Sequence, residues 1–382
     1  LNILFLHSAS DLYGSGKILA DTIVILTKQN HRCTVCLPEE GPLKKELEDR
    51  GAVVIITGLG IIRRKFFSFI GILNRFFALT IAIIRLSIII RQKKINLIYS
   101  NTTAVLAGAV VARMLRIRHI WHVHEIIVKP IGFVKFLSYF LGNYSDRVIV
   151  VSNPVKDYWS QYIKKPLPQI SVIHNGIDSS RFTSSTGSNL RKELQLSSST
   201  LVIGMIGRVH FWKGQDYFLK IAAKILNHVR DVKFIMAGDA FPGYECLYDQ
   251  IAALKRRLGL DPFVIDLGFR SDIANVLHGF DIFVLPSILP DPLPTVILEA
   301  MSCSKPVVAT SHGGVLDMVI NEETGILIPW NNEDVALEKM SSLIDSRELR
   351  QLYGNNGLER VKKYFSMDAY EQNIKTLINS IS

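Results

Sequence analysis

The sequence predicts an α/β protein of two doubly wound, Rossmann-like domains whose sheets face a central cleft. Three observations carry this reading. Short apolar runs of aliphatic and β-branched residues recur along the whole chain, most of them separated by helix-length segments. That is the pattern of parallel strands buried on both faces. A length of 382 residues at 48% hydrophobic composition suits two ordinary domains. A Ser/Thr-rich stretch from Asp178 to Leu190 separates the runs into two sets.

The first set reads "NILFL", "CTVCL", "VVIIT", "LIYSN", "HIWHVH" and "RVIVVS". The second reads "VIGMIG", "KFIMAG", "VIDLG", "IFVLPS", "PVVAT" and "GILIP". The expected boundaries are 1–178 for the first domain, 179–200 for a linker, 201–356 for the second domain and 357–382 for a C-terminal helix that crosses back. The apolar start lacks a basic leader and reads as a first strand, not a signal peptide. Cys33, Cys36, Cys246 and Cys303 read as reduced thiols of a cytosolic protein, since the one C-x2-C pair has no second ligand pair near it.

In such sheets ligands lie beyond the carboxyl ends of strands, so the loops there are the place to seek chemistry. The first is Tyr13-Gly14-Ser15-Gly16-Lys17, between a strand and a helical pattern, which aims N–H groups at an anion. It is a poor nucleoside-triphosphate loop, with Asp11 at the first glycine position and Ile18 where a hydroxyl should hold magnesium. It is also an incomplete dinucleotide fingerprint, with Leu19 as the third glycine. A turn that merely needs small residues stays open beside the phosphate reading.

Residues 61–94 hold eight Lys/Arg and no acid; setting those eight aside leaves +2 of the chain's +10. Arg75 and Arg85 interrupt any apolar run long enough to span a bilayer. Helices rich in Phe, Leu and Ile with basic residues among them fit an anionic membrane surface, and equally a solvated basic face. No nucleic-acid motif accompanies the charge.

In the second half, "GMIGRVHFWKG" places Arg208 and Lys213 beyond a strand, where two cations can clamp a diphosphate. "PSILPDPLPTVILEAMSC" runs from a strand through a proline-rich loop into a helix. Pro294 suits the helix start, and the free N–H groups of Thr295 and Val296 form an anion site. Asp291 and Glu299 flank that start; carboxylates there suit the hydroxyls of a sugar or ribose.

These motifs resemble the GT-B-fold glycosyltransferases of family 4. The resemblance rests on G-R-x4-K-G (Gly207 to Gly214), "NGID" (Asn175 to Asp178), "AGD" (Ala237 to Asp239), "LGFRSDI" (Leu267 to Ile273), "PTVILEAM" (Pro294 to Met301), "SHGGVLD" (Ser311 to Asp317), "HVHE" (His122 to Glu125) and the Gly14–Gly16 loop. It implies that Gly14, Ser15 and Gly16 face the diphosphate of a nucleotide sugar and that Arg208 and Lys213 hold it. It further implies that Leu293, Pro294, Thr295 and Val296 border the donor, that Glu299 takes the ribose, that Gly268 and Arg270 border the base and that His124 lies near the transferred sugar. Asp291 stands where the family has glutamate and would touch the sugar. The resemblance also implies transfer with retention of configuration.

The chain contains no Asp-x-Asp, so Arg208 and Lys213 are expected to replace a metal; no metal and no cofactor are expected. The expected partners are a nucleotide sugar, a saccharide or lipid-linked saccharide acceptor and an anionic membrane, not nucleic acid. The expected place is the cytoplasm, against the inner face of the membrane, in surface polysaccharide assembly. Two other readings stay open: a nucleotide-sugar epimerase or hydrolase on the same scaffold, and a membrane-surface binding protein whose cleft is vestigial.

Overall fold

The computed structural model describes residues 1–12, 14–62, 69–163, 169–183, 190–240 and 243–381. Arg63, Arg64 and Lys65 of the basic stretch lie outside them. The chain forms two compact units, Leu1–Gly176 with Asp368–Ser382, and Ile177–Met367.

The first unit runs β1 (Asn2–Leu6), α1 (Gly14–Lys28), β2 (Arg32–Leu37), α2 (Pro42–Asp49), β3 (Val53–Ile56), α3 (Phe69–Gln92), β4 (Leu97–Ser100), α4 (Ala107–Leu115), β5 (Arg118–Val123), α5 (Ile131–Asn143), β6 (Arg147–Val150), α6 (Asn153–Ser160) and β7 (Gln169–Val172). Its strands pair in parallel in the order β3-β2-β1-β4-β5-β6-β7. The strand order reverses between β1 and β4, which opens a crevice at their carboxyl ends. Right-handed crossovers fix the helices: α1 and α2 return leftward along the sheet, whereas α3, α4 and α5 step rightward and share the other face. Ala82, Leu86 and Ile90 of α3 accordingly pack with Val111 and Ala112 of α4 over Leu4, Leu6 and Ile98 of the sheet.

The second unit runs α7 (Ser180–Thr183), α8 (Leu190–Glu193), β8 (Leu201–Ile206), α9 (Gln215–Ile225), β9 (Val232–Ala237), α10 (Cys246–Arg257), β10 (Val264–Asp266), α11 (Ile273–His278), β11 (Ile282–Leu285), α12 (Thr295–Ser302), β12 (Val307–Thr310), α13 (Val315–Met318), β13 (Gly325–Ile328), α14 (Glu333–Asp345) and α15 (Arg347–Tyr364); α16 (Met367–Asn379) follows. The sheet is parallel, in the order β10-β9-β8-β11-β12-β13, and reverses between β8 and β11.

Four expectations are corrected. A seventh strand, β7, extends the first sheet. The supposed linker 179–200 belongs to the second unit: Leu190 is fully buried, and the Arg191 guanidinium donates to the carbonyls of Gly279, Ser197 and Thr200 and pairs with Asp281 at 2.5 Å. The return to the first unit begins at Asp368, not 357. Tyr370 anchors that return, fully buried with its hydroxyl 2.7 Å from Thr22 Oγ1 of α1. Finally, the basic stretch carries one 24-residue helix, and its segment Leu73–Gln92 is long and apolar enough to cross a bilayer by length and composition alone, Arg75 and Arg85 notwithstanding. Its buried contacts with the sheet core assign it to the first unit's helical layer.

Cys33 and Cys36 sit in β2, and burial pushes both thiols up to about 12, so they behave as small apolar core residues.

Candidate active site

Both units place the sequence-predicted residues beyond the carboxyl ends of strands: the Gly14–Gly16 loop after β1 and His124 after β5 in the first, and Arg208 and Lys213 after β8, Gly268 and Arg270 after β10, and Asp291 to Glu299 after β11 in the second. In the second unit β8 is buried throughout and ends at Ile206. The loop that follows carries Arg208 and Lys213 and is pinned by the Val209 N–H to the Asp239 carbonyl (2.9 Å) and by Gln215 Nε2 to the Arg208 carbonyl (2.9 Å). It closes at Gly214, φ +78, where an added Cβ would lie 2.0 Å from the Pro286 carbonyl oxygen. Only glycine lets α9 start this close to the end of β11. The Ile288 N–H donates to the Trp212 carbonyl (2.7 Å), tying the loops after β8 and β11 together.

The result is an ion pair between two candidate residues 78 positions apart. Lys213 Nζ lies 2.5 Å from Asp291 Oδ2, with side chains 17% and 20% exposed. The Asp291 backbone is held in turn by the "SHGG" loop: the Gly314 N–H donates to the Asp291 carbonyl (2.7 Å), and Gly313, φ +65, has no room for a Cβ against it. Leu293, buried, sits beneath Gly314. Pro294 caps α12 without a side-chain hydrogen bond. The N–H groups of Thr295 and Val296 find no acceptor among the described residues, so the helix presents them with its positive end. Glu299, half-buried, lies one turn further on.

Gly207, Gly238 and Gly268 line a cavity of about 230 Å³ at the ends of β8, β9 and β10, with Met205 and Met236 as apolar walls. The Gly238 N–H donates to the Gly268 carbonyl (2.8 Å). Such a pocket accepts a flat ring. Arg270 takes a different place. Its guanidinium makes four hydrogen bonds of 2.7–3.1 Å to Glu193 and Asp272, which also raise its pKa, and it serves as a clamp between α8 and the start of α11. This pairing engages the guanidinium, while Gly268 of the same loop lines the cavity.

Two histidines inside the quoted motifs, His312 and His210, had no role assigned from the sequence. His312 Nε2 donates to the Ser287 carbonyl (2.8 Å), and its buried Nδ1 has no partner among the described residues. Burial lowers its pKa, opposed by that carbonyl and by Asp291 nearby, so it presents a neutral acceptor. His210 is likewise held low by burial and then by Arg208 and Lys213, with Phe211, Trp212 and Tyr244 packed around it.

In the first unit the glycine loop opens α1 at Gly14. Gly16 has the Asp11 carbonyl 2.6 Å from where a Cβ would stand, so the loop cannot take a side chain there. The Ser15 carbonyl accepts from Asn101 Nδ2 (3.0 Å), while Asn101 Oδ1 accepts from His124 Nε2 (3.0 Å). Asn101 thereby joins the ends of β1 and β4 to the end of β5. Burial, then His122 and His7, holds the pKa of His124 well below the ordinary value, so it is a neutral imidazole with its proton on Nε2. Glu125 is half-buried beside it, accepting from Thr102 Oγ1 (2.7 Å) and from the N–H groups of Thr103 (3.3 Å) and His124 (3.1 Å); desolvation raises its pKa and these bonds oppose the rise.

Asn101 is 1% exposed, and no motif announced it. Asn101→Leu leaves the Ser15 carbonyl and His124 Nε2–H without partners. The expected cost is about 1–3 kcal/mol of stability, with a loss of turnover larger than the loss of donor affinity. Thermal melts alongside steady-state kinetics check it; unchanged turnover means that the Asn101–His124 bond positions nothing.

Two family models cover most of the chain: "Glycosyltransferase Family 4" matches residues 14–181 and "Glycosyl transferases group 1" matches residues 188–360. Among curated proteins, the chain is 28% identical over 300 residues to an Escherichia coli UDP-Gal:alpha-D-GlcNAc-diphosphoundecaprenol alpha-1,3-galactosyltransferase, covering 74% of this chain and 76% of that one. It is 27% identical over 247 residues to the lipopolysaccharide core biosynthesis mannosyltransferase LpsB of Rhizobium meliloti (strain 1021), covering 64% and 68%. Among solved structures, Anabaena HepE in complex with UDP-glucose is 25% identical with a TM-score of 0.82 over 99% of both chains. Its complex with UDP alone reaches a TM-score of 0.85 over the full length of both chains at 24% identity.

Proposed function

The chain belongs to the family 4 glycosyltransferases of GT-B fold, and from that premise we propose that it transfers a sugar from a nucleoside diphosphate donor to a saccharide carried on a lipid, with retention and without a metal. The observation that carries the reading is the convergence of Lys213, Asp291 and the N-terminus of α12 at the strand-order reversal of the second unit. Breaking the anomeric C–O bond leaves its electron pair on the departing diphosphate. Arg208, Lys213 and the N–H groups of Thr295 and Val296 are preorganised positive partners for that charge. The acceptor hydroxyl oxygen takes the anomeric carbon, and its proton passes to the diphosphate. His124, neutral, is a hydrogen-bonding partner for the sugar and not a strong base.

The Lys213–Asp291 pair adds a feature that the residue types alone did not suggest. Before the donor arrives, Asp291 occupies Lys213. When the diphosphate takes over the lysine, Asp291 turns to the hydroxyls of the sugar, so donor binding and sugar selection are coupled through one ion pair. Glu299 accepts from the ribose. The relatives that build on undecaprenyl diphosphate and on the lipopolysaccharide core support a lipid-borne acceptor in surface polysaccharide assembly, and the HepE complex makes UDP-glucose the first donor to test.

The test is a panel of UDP- and GDP-sugars followed by calorimetry and by transfer to lipid-linked saccharide acceptors. One donor is expected to bind tightly and to be consumed only when acceptor is present. Consumption of the donor alone at the same rate indicates hydrolysis or epimerisation and overturns the reading. Glu299→Gln is expected to weaken nucleoside diphosphate binding about tenfold, the loss of one charge-assisted hydrogen bond; unchanged affinity removes Glu299 from the ribose.

A further inference from the structure

From Gly58 to Ser145 the chain holds thirteen Lys/Arg and one acid, Glu125, which is the carboxylate clamped inside the candidate site. The segment is therefore +12; taking it from the chain's +10 leaves −2 for everything else. Ten of the thirteen basic residues fall among the described residues; Arg63, Arg64 and Lys65 lie outside them. The segment contributes α3, α4 and α5, and right-handed crossovers put all three on one face of the first sheet.

The outer side of that layer is apolar. On α3, Leu73, Phe77, Ile81, Ile84 and Ile88 recur at helical spacing and are all exposed, and Phe76 beside them is 66% exposed. The opposite side of the same helix is the one buried in the core. Met114 at the end of α4, and Ile131, Phe136 and Tyr139 on α5, continue the exposed apolar surface. Few monomeric soluble proteins leave a stripe of this size uncovered. Its rim is basic: Arg91 lies in the last turn of α3 with Lys93 and Lys94 just after it, and Arg113, Arg116 and Arg118 gather where α4 ends and β5 begins, around a polar cavity of about 230 Å³.

We propose that the outer side of the α3–α4–α5 layer lies in the plane of an anionic membrane, with the α3 stripe in the headgroup–acyl boundary and the Arg113/Arg116/Arg118 cluster on lipid phosphates. The partner follows from charge and shape together. An apolar protein partner would not need twelve net positive charges, and nucleic acid would not reward six exposed aliphatic and aromatic side chains on one helix. An anionic bilayer surface uses both. The helix docks without spanning, because Ala82, Leu86 and Ile90 are committed to the sheet. The chain enters α3 from the carboxyl end of β3, so the start of the docked helix is on the same side of the sheet as the His124–Asn101 cluster. An acceptor borne on a lipid headgroup would meet the unit at that edge.

The test is co-sedimentation of the full chain with vesicles of phosphatidylcholine alone or mixed with phosphatidylglycerol, across a salt series. Binding is expected only with the anionic lipid, weakening as salt rises. Arg113→Glu with Arg116→Glu should weaken it at least about tenfold. Phe76→Ser with Phe77→Ser should remove the part that survives high salt. None of these exposed positions is expected to shift the melting temperature, which separates lost docking from lost folding. Wild-type protein that stays in the supernatant at low salt overturns the proposal. So does retention in the membrane through alkaline carbonate, which means spanning. Salt-sensitive binding to duplex DNA without vesicle binding, or self-association abolished by the Phe76/Phe77 changes, would assign the face to another partner and overturn it as well.

Discussion

Arg208→Ala and Lys213→Ala are each expected to slow glycosyl transfer about 100-fold or more, the cost of removing one preorganised partner of a developing charge, and EDTA is expected to change nothing. The two variants should differ in a way that the structure explains. Arg208 lies on a loop held by its own backbone, through the Gln215 contact to its carbonyl, so its removal leaves the frame standing. Lys213 is the partner of Asp291 in a pair only about a fifth exposed. Its removal strands that carboxylate beside the place where a diphosphate must sit, so Lys213→Ala should also raise the KM for donor more than Arg208→Ala does. Asp291→Asn supplies the reciprocal result. It frees Lys213, so affinity for the bare nucleoside diphosphate should rise while transfer falls and discrimination among donor sugars narrows. Steady-state kinetics with calorimetry on the three variants reads all of this. Near-wild-type turnover in the double Arg208/Lys213 variant, or inactivation of the wild type by EDTA, would remove the cations from the leaving group.

How much of this was legible beforehand depends on distance along the chain. The strands flanked on both sides by helices are continuous apolar runs and were read correctly. Strand β7 was missed because "QISV" alternates polar and apolar at a sheet edge, where Ile170, Ser171 and Val172 are only half-buried. The linker was misread from composition: nothing local in "LRKE" says that Leu190 will fill a space against Gly279 or that Arg191 will find Asp281, 90 residues away. In the site, Gly14, Gly16, Arg208, Lys213, Asp291 and Glu299 stood out because each sits in a turn or at a helix start with its own local signature. Asn101 and His312 did not. Asn101 matters because the sheet order sets β1 beside β4, bringing together residues 86 and 94 positions apart. His312 matters because β12 lies beside β11. Arg270 shows the converse: a loop position suited to a ligand whose side chain is taken by Glu193, 77 residues back.

Acidification is expected to destabilise the first unit progressively from about pH 6.5 to about pH 4.5, ahead of the second. Three imidazoles in that unit are buried as neutral rings. Burial takes His7 down to about 4, opposed by Asp11 and Asn101; His119 to about 4, opposed by the Tyr144 carbonyl and Asp146; and His122 to about 3. Hydrogen bonds to both ring nitrogens fix the neutral form of His119. His119 Nδ1 donates to the Tyr144 carbonyl and its Nε2 accepts from Ser100 Oγ, both at 2.9 Å, while His122 Nδ1 lies 2.9 Å from the Tyr99 hydroxyl. Each folded pKa is below the unfolded value, so above about pH 6.5 neither state is protonated and stability is full. Below it the unfolded chain binds protons that the folded chain refuses, down to the folded values near pH 4. Each histidine then costs about 1.4 kcal/mol per pH unit, and three together approach the stability of an ordinary domain within two units. Glu125 works the other way: its raised pKa means that the folded state gains a proton early, which offsets part of the loss. The lowered carboxylates, with Asp272 foremost, belong to the second unit and respond only below about pH 4. Trp121 and Trp159 are fully buried in the first unit, whereas Trp212 and Trp330 are exposed in the second, so tryptophan emission follows the first unit through the transition. His119→Asn keeps a donor for the Tyr144 carbonyl and removes one titrating group. It should reduce the slope of unfolding free energy against pH by about one proton. A flat profile from pH 6.5 to 5, or a slope that His119→Asn leaves untouched, would mean that these rings are solvated enough to titrate normally and that the crevice beside them is open to water.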